Sequence, residues 1–165
     1  MSTVDALLLA AACLFVLFVL SQAVLPAVMR RGPRREVQSR LTSAVAAGAN
    51  ASRSVSERAA SFREAADIAL RELKKPRIAL RYARRAHDAD PSDAANIELL
   101  AKAMMRAGRY RALERHLWRS LDAHTNEASF HAAFHALLDL YDGPMKAPER
   151  ARVLRTMRAP LRRAD

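Results

Sequence analysis

The sequence predicts an all-α protein, an N-terminal transmembrane helix followed by a short solenoid of helical hairpins. Three observations carry this expectation. Alanine, leucine, arginine and glutamate, all strong helix formers, are abundant, while runs of β-branched residues are absent beyond the first thirty positions and 165 residues hold only 4 glycines. From Ala6 to Val28 the chain carries no charge. From Ala66 onward, residues of similar character recur at 34-residue steps.

The elements follow in order. Residues 1–5 form a short tail, and residues 6–29 read as the transmembrane helix. "ALLLAAACLFVLFVLSQAVLPAV" is apolar on every face and long enough, since about 20 such residues cross the hydrocarbon core. Two cleavage signals compete with an uncleaved anchor. "SQA" (Ser21 to Ala23) has the small-x-small form of a signal-peptidase site, but "MSTVD" lacks the positive start of a secretory peptide. "AAAC" resembles a lipoprotein site, yet the apolar run continues well past Cys13. That single cysteine also leaves no internal disulfide. Arg30, Arg31, Arg34 and Arg35 flank the run on its C-terminal side, so the N-terminus is expected outside and the rest in the cytoplasm, as in a bacterial inner membrane. The same four arginines are the expected contacts with anionic lipid head groups.

Residues 30–58 read as a basic juxtamembrane segment and linker. Gly32-Pro33 interrupts any helix, and Leu41 to Ser61 is rich in alanine and serine with no large apolar periodicity, the composition of a tether of partial helicity.

Residues 59–160 carry the repeat, before a short tail at 161–165. Ala66, Leu100 and Phe134 stand 34 apart, as do Leu70, Met104 and Leu138. Ala79, Leu113 and Ala147 keep the same step, as do Ala83, Leu117 and Ala151, and Ala86, Ser120 and Leu154. Within "IALRYARRAHDADPSD" (Ile78 to Asp93), Ala79, Ala83 and Ala86 share one helical face that admits a close neighbour. Asp90-Pro91 ends that helix, and Ser92 or Asp93 is placed to cap the next.

The stretch from Ala94 to Glu127 resembles the tetratricopeptide repeat family. Ile97, Leu100, Ala101, Met104, Gly108, Tyr110, Leu113, Leu117 and Ser120 occupy its signature slots, and Ala79, Ala83, Ala86 and Pro91 match the second helix and closing proline of a preceding copy. The outer copies depart from the pattern. The first ends its leading helix in Lys74-Lys75-Pro76 instead of a glycine turn. The third has His135 in a small-residue slot, "DGPMKAPER" at its turn, and a basic capping helix from Pro148 to Arg158.

The resemblance implies binding of a partner protein along the first helices of the repeats. Carried over slot by slot, that surface comprises Glu64, Ile68 and Arg71, then Glu98, Lys102, Met105 and Arg106, then Ala132, Ala136 and Asp139. Lys102 and Arg106 are placed to pair with an acidic segment. The asparagines of the family's carboxylate-clamp version are missing from these slots, Asn96 lying outside them.

No catalytic motif emerges. His131 and His135, with Glu127 and Asp139 on the same stripe, have the i, i+4 spacing of a metal pair, but no HExxH and no cysteine supports it, and His135 is expected to pack between hairpins. His87, His116 and His124 read as solvated helix-face residues. Phosphate-binding loops and nucleophile motifs are absent, so neither an enzyme nor a cofactor is expected. The net charge of +11 points to anionic surroundings. Nucleic acid is disfavoured, because the few aromatics form no stacking platform among the arginines. Two functions remain. One is a membrane-anchored adaptor that recruits a cytoplasmic protein or assists assembly of a membrane complex. The other is an accessory subunit held permanently in such a complex.

Overall fold

The computed structural model describes Phe15, Phe18, residues 34–123 and residues 126–161, with side chains of the last helix as far as Thr156. Every regular element among them is helical, and the chain divides into two compact units, Met1–Arg40 and Leu41–Asp165. Among the described residues no helix is long and apolar enough to cross a membrane, so the expectation of a transmembrane helix and of a single-pass membrane protein is corrected. The described helix Glu127–Asp142, for example, has 16 residues against the about 20 a crossing needs and carries Glu127, Asp139 and Asp142. The run 6–29, Phe15 and Phe18 apart, lies outside the described residues, as do Arg30 and Arg31. In the first unit Phe15, Phe18 and residues 34–40 are helical, with Arg34 and Arg35 exposed.

The second unit opens with helical residues 41–49 (α1), where the sequence predicted a tether. Leu41, Ala44 and Gly48 are buried there. A Cβ on Gly48 would lie 2.8 Å from the Phe62 ring, so the absent side chain is what lets the aromatic approach. The Arg85 guanidinium lies over the same ring, 5.7 Å from its centre.

Six longer helices follow: α2 (Val55–Asp67), α3 (Pro76–Ala89), α4 (Ala94–Arg106), α5 (Tyr110–Ala123), α6 (Glu127–Asp142) and α7 (Pro148–Leu161). The start signals alternate. In α2 the Ser54 hydroxyl accepts from the Glu57 N–H while the Glu57 carboxylate accepts from the Ser54 N–H. Asp93 caps α4 and Asn126 caps α6 through side-chain oxygens. Helices α3 and α7 instead begin on proline, whose fixed φ and missing donor suit a first turn.

Packing runs between neighbours. Helix α2 lies on α3 and α4, α4 also on α3, α5 and α6, α5 on α6, and α6 on α7. The 34-residue register matches the burial in two of its five rows. Ala66, Leu100 and Phe134 are all buried, as are Ala83, Leu117 and Ala151. Where α3 meets α2 and α4 the core is lined with alanine, Ala66, Ala69, Ala79, Ala83 and Ala101 being at most 1% exposed. Toward α5 and α6 it fills with Leu113, Leu117, Leu137 and Leu140, each fully buried and each contributing about 1.5–3 kcal/mol relative to exposure. Small residues let the early helices approach, and large ones fill the later layer.

The turn inside each hairpin repeats one device. Lys74, Gly108 and Lys146 all adopt left-handed backbone, at φ +54°, +69° and +48°. The following N–H reaches back to the ending helix, Arg109 to the Met104 carbonyl at 2.9 Å, Lys75 to Ala69 at 2.8 Å and Ala147 to Tyr141 at 2.9 Å. The first hairpin differs in that α2 widens into a π-helical turn over Ile68–Glu72 before this stop.

Between hairpins, the Asn126 side chain donates to the Ser92 carbonyl at 2.9 Å, joining two positions 34 apart. Buried Asn96 donates to the Asp90 carbonyl at 2.8 Å, and Arg63 of α2 pairs with Asp93 at the head of α4.

Candidate functional site

Helix α4 presents one flank to α6 and the other to the end of α2, and a concavity opens along each. The first, about 350 Å³, is lined by Glu98, Lys102 and Met105 from α4 and by His131, His135 and Asp139 from α6, with Ala101, Ala132 and Ala136 as its floor. The second, about 770 Å³, is lined by Leu70, Arg71, Lys74 and Pro76 together with Lys102 and Arg106. Lys102 is the shared wall, so the two form a groove on either side of one helix. Of the residues expected on a partner-binding surface, Arg71, Glu98, Lys102, Met105, Arg106 and Asp139 are gathered here. Glu64 is exposed on α2 and lines neither concavity. Ile68 is 3% exposed and belongs to the core, at the first residue of the π-helical turn.

Charge in the groove is partly internal. Lys102 faces Glu98 at 3.7 Å, and Arg71 pairs with Asp67 at 2.7 Å, both of them exposed pairs of the kind worth about 0–1 kcal/mol. Among the described residues Lys74 and Arg106 have no acidic partner. The α2–α4 concavity therefore has four cationic side chains and, in its lining, no carboxylate.

The histidine stripe lies on the α6 wall. His131 is half-exposed and meets Glu127 at 3.3 Å, and His135, expected between hairpins, is exposed instead. Among the described residues no group of three His, Cys, Asp or Glu side chains is arranged to hold a metal ion.

Two clusters lay beyond the reach of sequence reasoning. The Tyr141 hydroxyl donates to the Glu114 carboxylate at 2.6 Å and accepts from the Trp118 indole at 3.2 Å, and Arg150 donates to the same Glu114 oxygen at 2.7 Å. Burial, with the Glu114 bond next, pushes the Tyr141 hydroxyl above its ordinary range. The network borders a cleft of about 450 Å³ walled by Trp118, Val153 and Leu154. Its hydrogen bonds join residues 23 to 36 positions apart, so no local motif announces it.

The second cluster is the pair His87 and His116, whose rings meet edge to face at 4.8 Å between α3 and α5. The expectation that both are solvated is corrected: each is half-buried, and His87 Nδ1 and His116 Nε2 are buried with no hydrogen-bond partner. Burial lowers the pKa of His87 against the pull of Asp88 and Asp90. His116 is lowered to about 4, by burial first and then by His87, Arg119 and Arg84.

No family model, curated protein or solved structure matches the chain. The functional reading therefore rests on the geometry of its own residues.

Proposed function

We propose that the chain is a protein–protein interaction scaffold of tetratricopeptide-like build, whose groove along α4 takes an acidic segment of a partner protein. The observation that carries this reading is the gathering of Arg71, Lys74, Lys102 and Arg106 around one concavity with Met105 beside it, two of the cations being without acidic partners among the described residues. A groove flanked by parallel ridges of side chains, with an apolar element and surplus positive charge, suits a peptide bearing carboxylates. The 34-residue register of buried landmarks supports the repeat reading. The role assigned is binding and assembly, with no catalysis of its own. A second reading, a permanent accessory subunit of a larger assembly, draws on the exposed Trp118 and Val153 beside the α5–α7 cleft, because apolar surface of this kind marks contact sites.

A photo-crosslinking residue placed at Met105, with another at Arg81 on the exposed face of α3 as control, tests the proposal in the native host. Discrete protein adducts are expected at Met105 alone and should disappear in a Lys102→Glu, Arg106→Glu double variant. Equal adducts at both positions, or adducts that survive the charge reversal, would overturn it.

A further inference from the structure

The cleft between α3 and α5 lies apart from the α4 groove and has a different character. It encloses about 240 Å³ and is lined by Arg84, His87 and Asp88 of α3, by Ala112, Arg115, His116 and Arg119 of α5, and by Leu100 and Met104 of α4 beneath. That volume lies below the 300–1,000 Å³ typical of drug-sized ligands and suits a small ion. Three guanidinium groups face one carboxylate. Among the described residues Arg84, Arg115 and Arg119 form no ion pair, the Arg119 Nε donating only to the Arg115 carbonyl at 3.3 Å. Beside them are two buried ring nitrogens, His87 Nδ1 and His116 Nε2, with nothing to bond to. Unpaired polar atoms of this kind are rare in folded proteins and call for an explanation.

We propose that this cleft is a binding site for a small tetrahedral oxyanion of the phosphoryl class, held by Arg84, Arg115 and Arg119 with His87 and His116 as further donors. A cation fits poorly, since the three arginines repel it and no third ligand joins the histidines. An oxyanion answers both features together: guanidinium groups are matched to its geometry, and an imidazole, its orphan nitrogen buried as the ring stands, donates to it once the ring turns an N–H toward the opening. Binding is thereby coupled to proton uptake. In the empty cleft Arg84 and Arg119 oppose protonation of His116, Asp88 favours it, and Asp90 adds its pull at His87. Arg115 adds positive charge from α5, and α4 contributes no charge to the lining. A bound anion cancels the arginines' field, so the histidines should take up protons more readily, and with His116 lowered to about 4 in the free chain, binding should strengthen as pH falls from 6 toward 5, where inorganic phosphate stays a monoanion.

The test is a titration of the full-length protein with inorganic phosphate, followed by calorimetry and by the imidazole NMR signals. Saturable binding is expected, with the signals of His87 and His116 moving together and their pKa values rising by a unit or more. An Arg84→Gln, Arg115→Gln, Arg119→Gln variant should bind at least tenfold more weakly while keeping its helical circular dichroism, and Arg81→Gln, on the same helix but outside the cleft, should bind as the parent does. Parallel runs with phenyl phosphate distinguish a free anion from the terminus of a larger molecule, and saturable binding of either supports the site. Shifts that rise linearly without saturating, that spare the two histidines, or that persist in the triple variant would overturn it. Tight zinc binding that displaces phosphate would do the same, and the wild-type titration decides the matter even if a variant misfolds.

Discussion

Lys74 and Gly108 occupy equivalent turns 34 residues apart, and both hold left-handed backbone, yet only one is a glycine. Exchanging their chemistry should therefore move stability in opposite directions. A side chain in that conformation brings Cβ against its own carbonyl, a cost of about 1–2 kcal/mol that glycine avoids. Glycine in turn makes the unfolded chain more mobile, returning about 0.5–1 kcal/mol to the unfolded state. Lys74 is exposed and forms no ion pair among the described residues, so Lys74→Gly sacrifices no packing. The balance is a gain of about 0.5–1 kcal/mol, which for a helical unit of this size raises Tm by roughly 3 °C. At Gly108 a Cβ would meet nothing within 4 Å, so Gly108→Ala isolates the backbone conformation and should cost about 1 kcal/mol. Urea unfolding followed by circular dichroism at 222 nm measures both. Lowered stability in Lys74→Gly, or no change in Gly108→Ala, would mean that the left-handed turns are not the strained element the dihedral angles indicate.

Three further outcomes follow from the packing. Gly48→Ala drives a methyl to 2.8 Å from the buried Phe62 ring and should destabilise the α1–α2 contact by about 1–3 kcal/mol, seen as a lower urea midpoint. Tyr141→Phe removes a donor from Glu114 and an acceptor from Trp118, with an expected loss of about 1–2 kcal/mol and a shift in Trp118 fluorescence; an unchanged midpoint would assign that network no role in stability. The His87–His116 pair predicts acid sensitivity. Its native pKa values lie below 6.5, so as pH falls through 6.5 the unfolded chain takes up protons first, and stability present at neutral pH is lost progressively toward about 4. For His116 the full shift corresponds to at most about 3 kcal/mol, and its partial exposure reduces this to about 1–2 kcal/mol. In phosphate-free buffer, His116→Asn should flatten the dependence of the urea midpoint on pH between 7.5 and 5.

The register from Ala66 to Leu154 is legible in the sequence because two of its five rows repeat their burial as well as their hydrophobicity, while the other three mix buried with half-buried residues. Ala83, Leu117 and Ala151 are all fully buried, and a 34-residue step in sequence becomes one step in packing. The same spacing places Glu98, Lys102 and Met105 along the α6 flank of α4 and Lys102 and Arg106 along the flank toward α2, since residues three and four apart share a helix face. Ile68 belongs to the core instead. It lies seven residues after buried Ser61 and so on the core side of α2, and nothing in "ADIALREL" marks the wider winding that begins there. The stretch before Val55 fails for another reason. Its buried residues Leu41, Ala44 and Gly48 do keep helical spacing, but only one of them is a large apolar side chain, and the close approach of Gly48 to Phe62 appears only in the fold. His87 and His116 lie 29 positions apart on helices rich in arginine, so only the crossing of α3 and α5 shows that they face each other.

The Asn126–Ser92 hydrogen bond has an implication for how such a chain can lengthen. It links the cap of one hairpin to the loop that opens the one before, at a separation of one repeat. A duplicated stretch of residues 92–125 inserted ahead of Asn126 would carry its own serine carbonyl to receive that cap, and would offer the next α4-like helix to extend the groove. The copy would itself begin on serine where the seam uses asparagine, so that one amide, beside the apolar contacts of α4 with α6, is what a new module would have to supply.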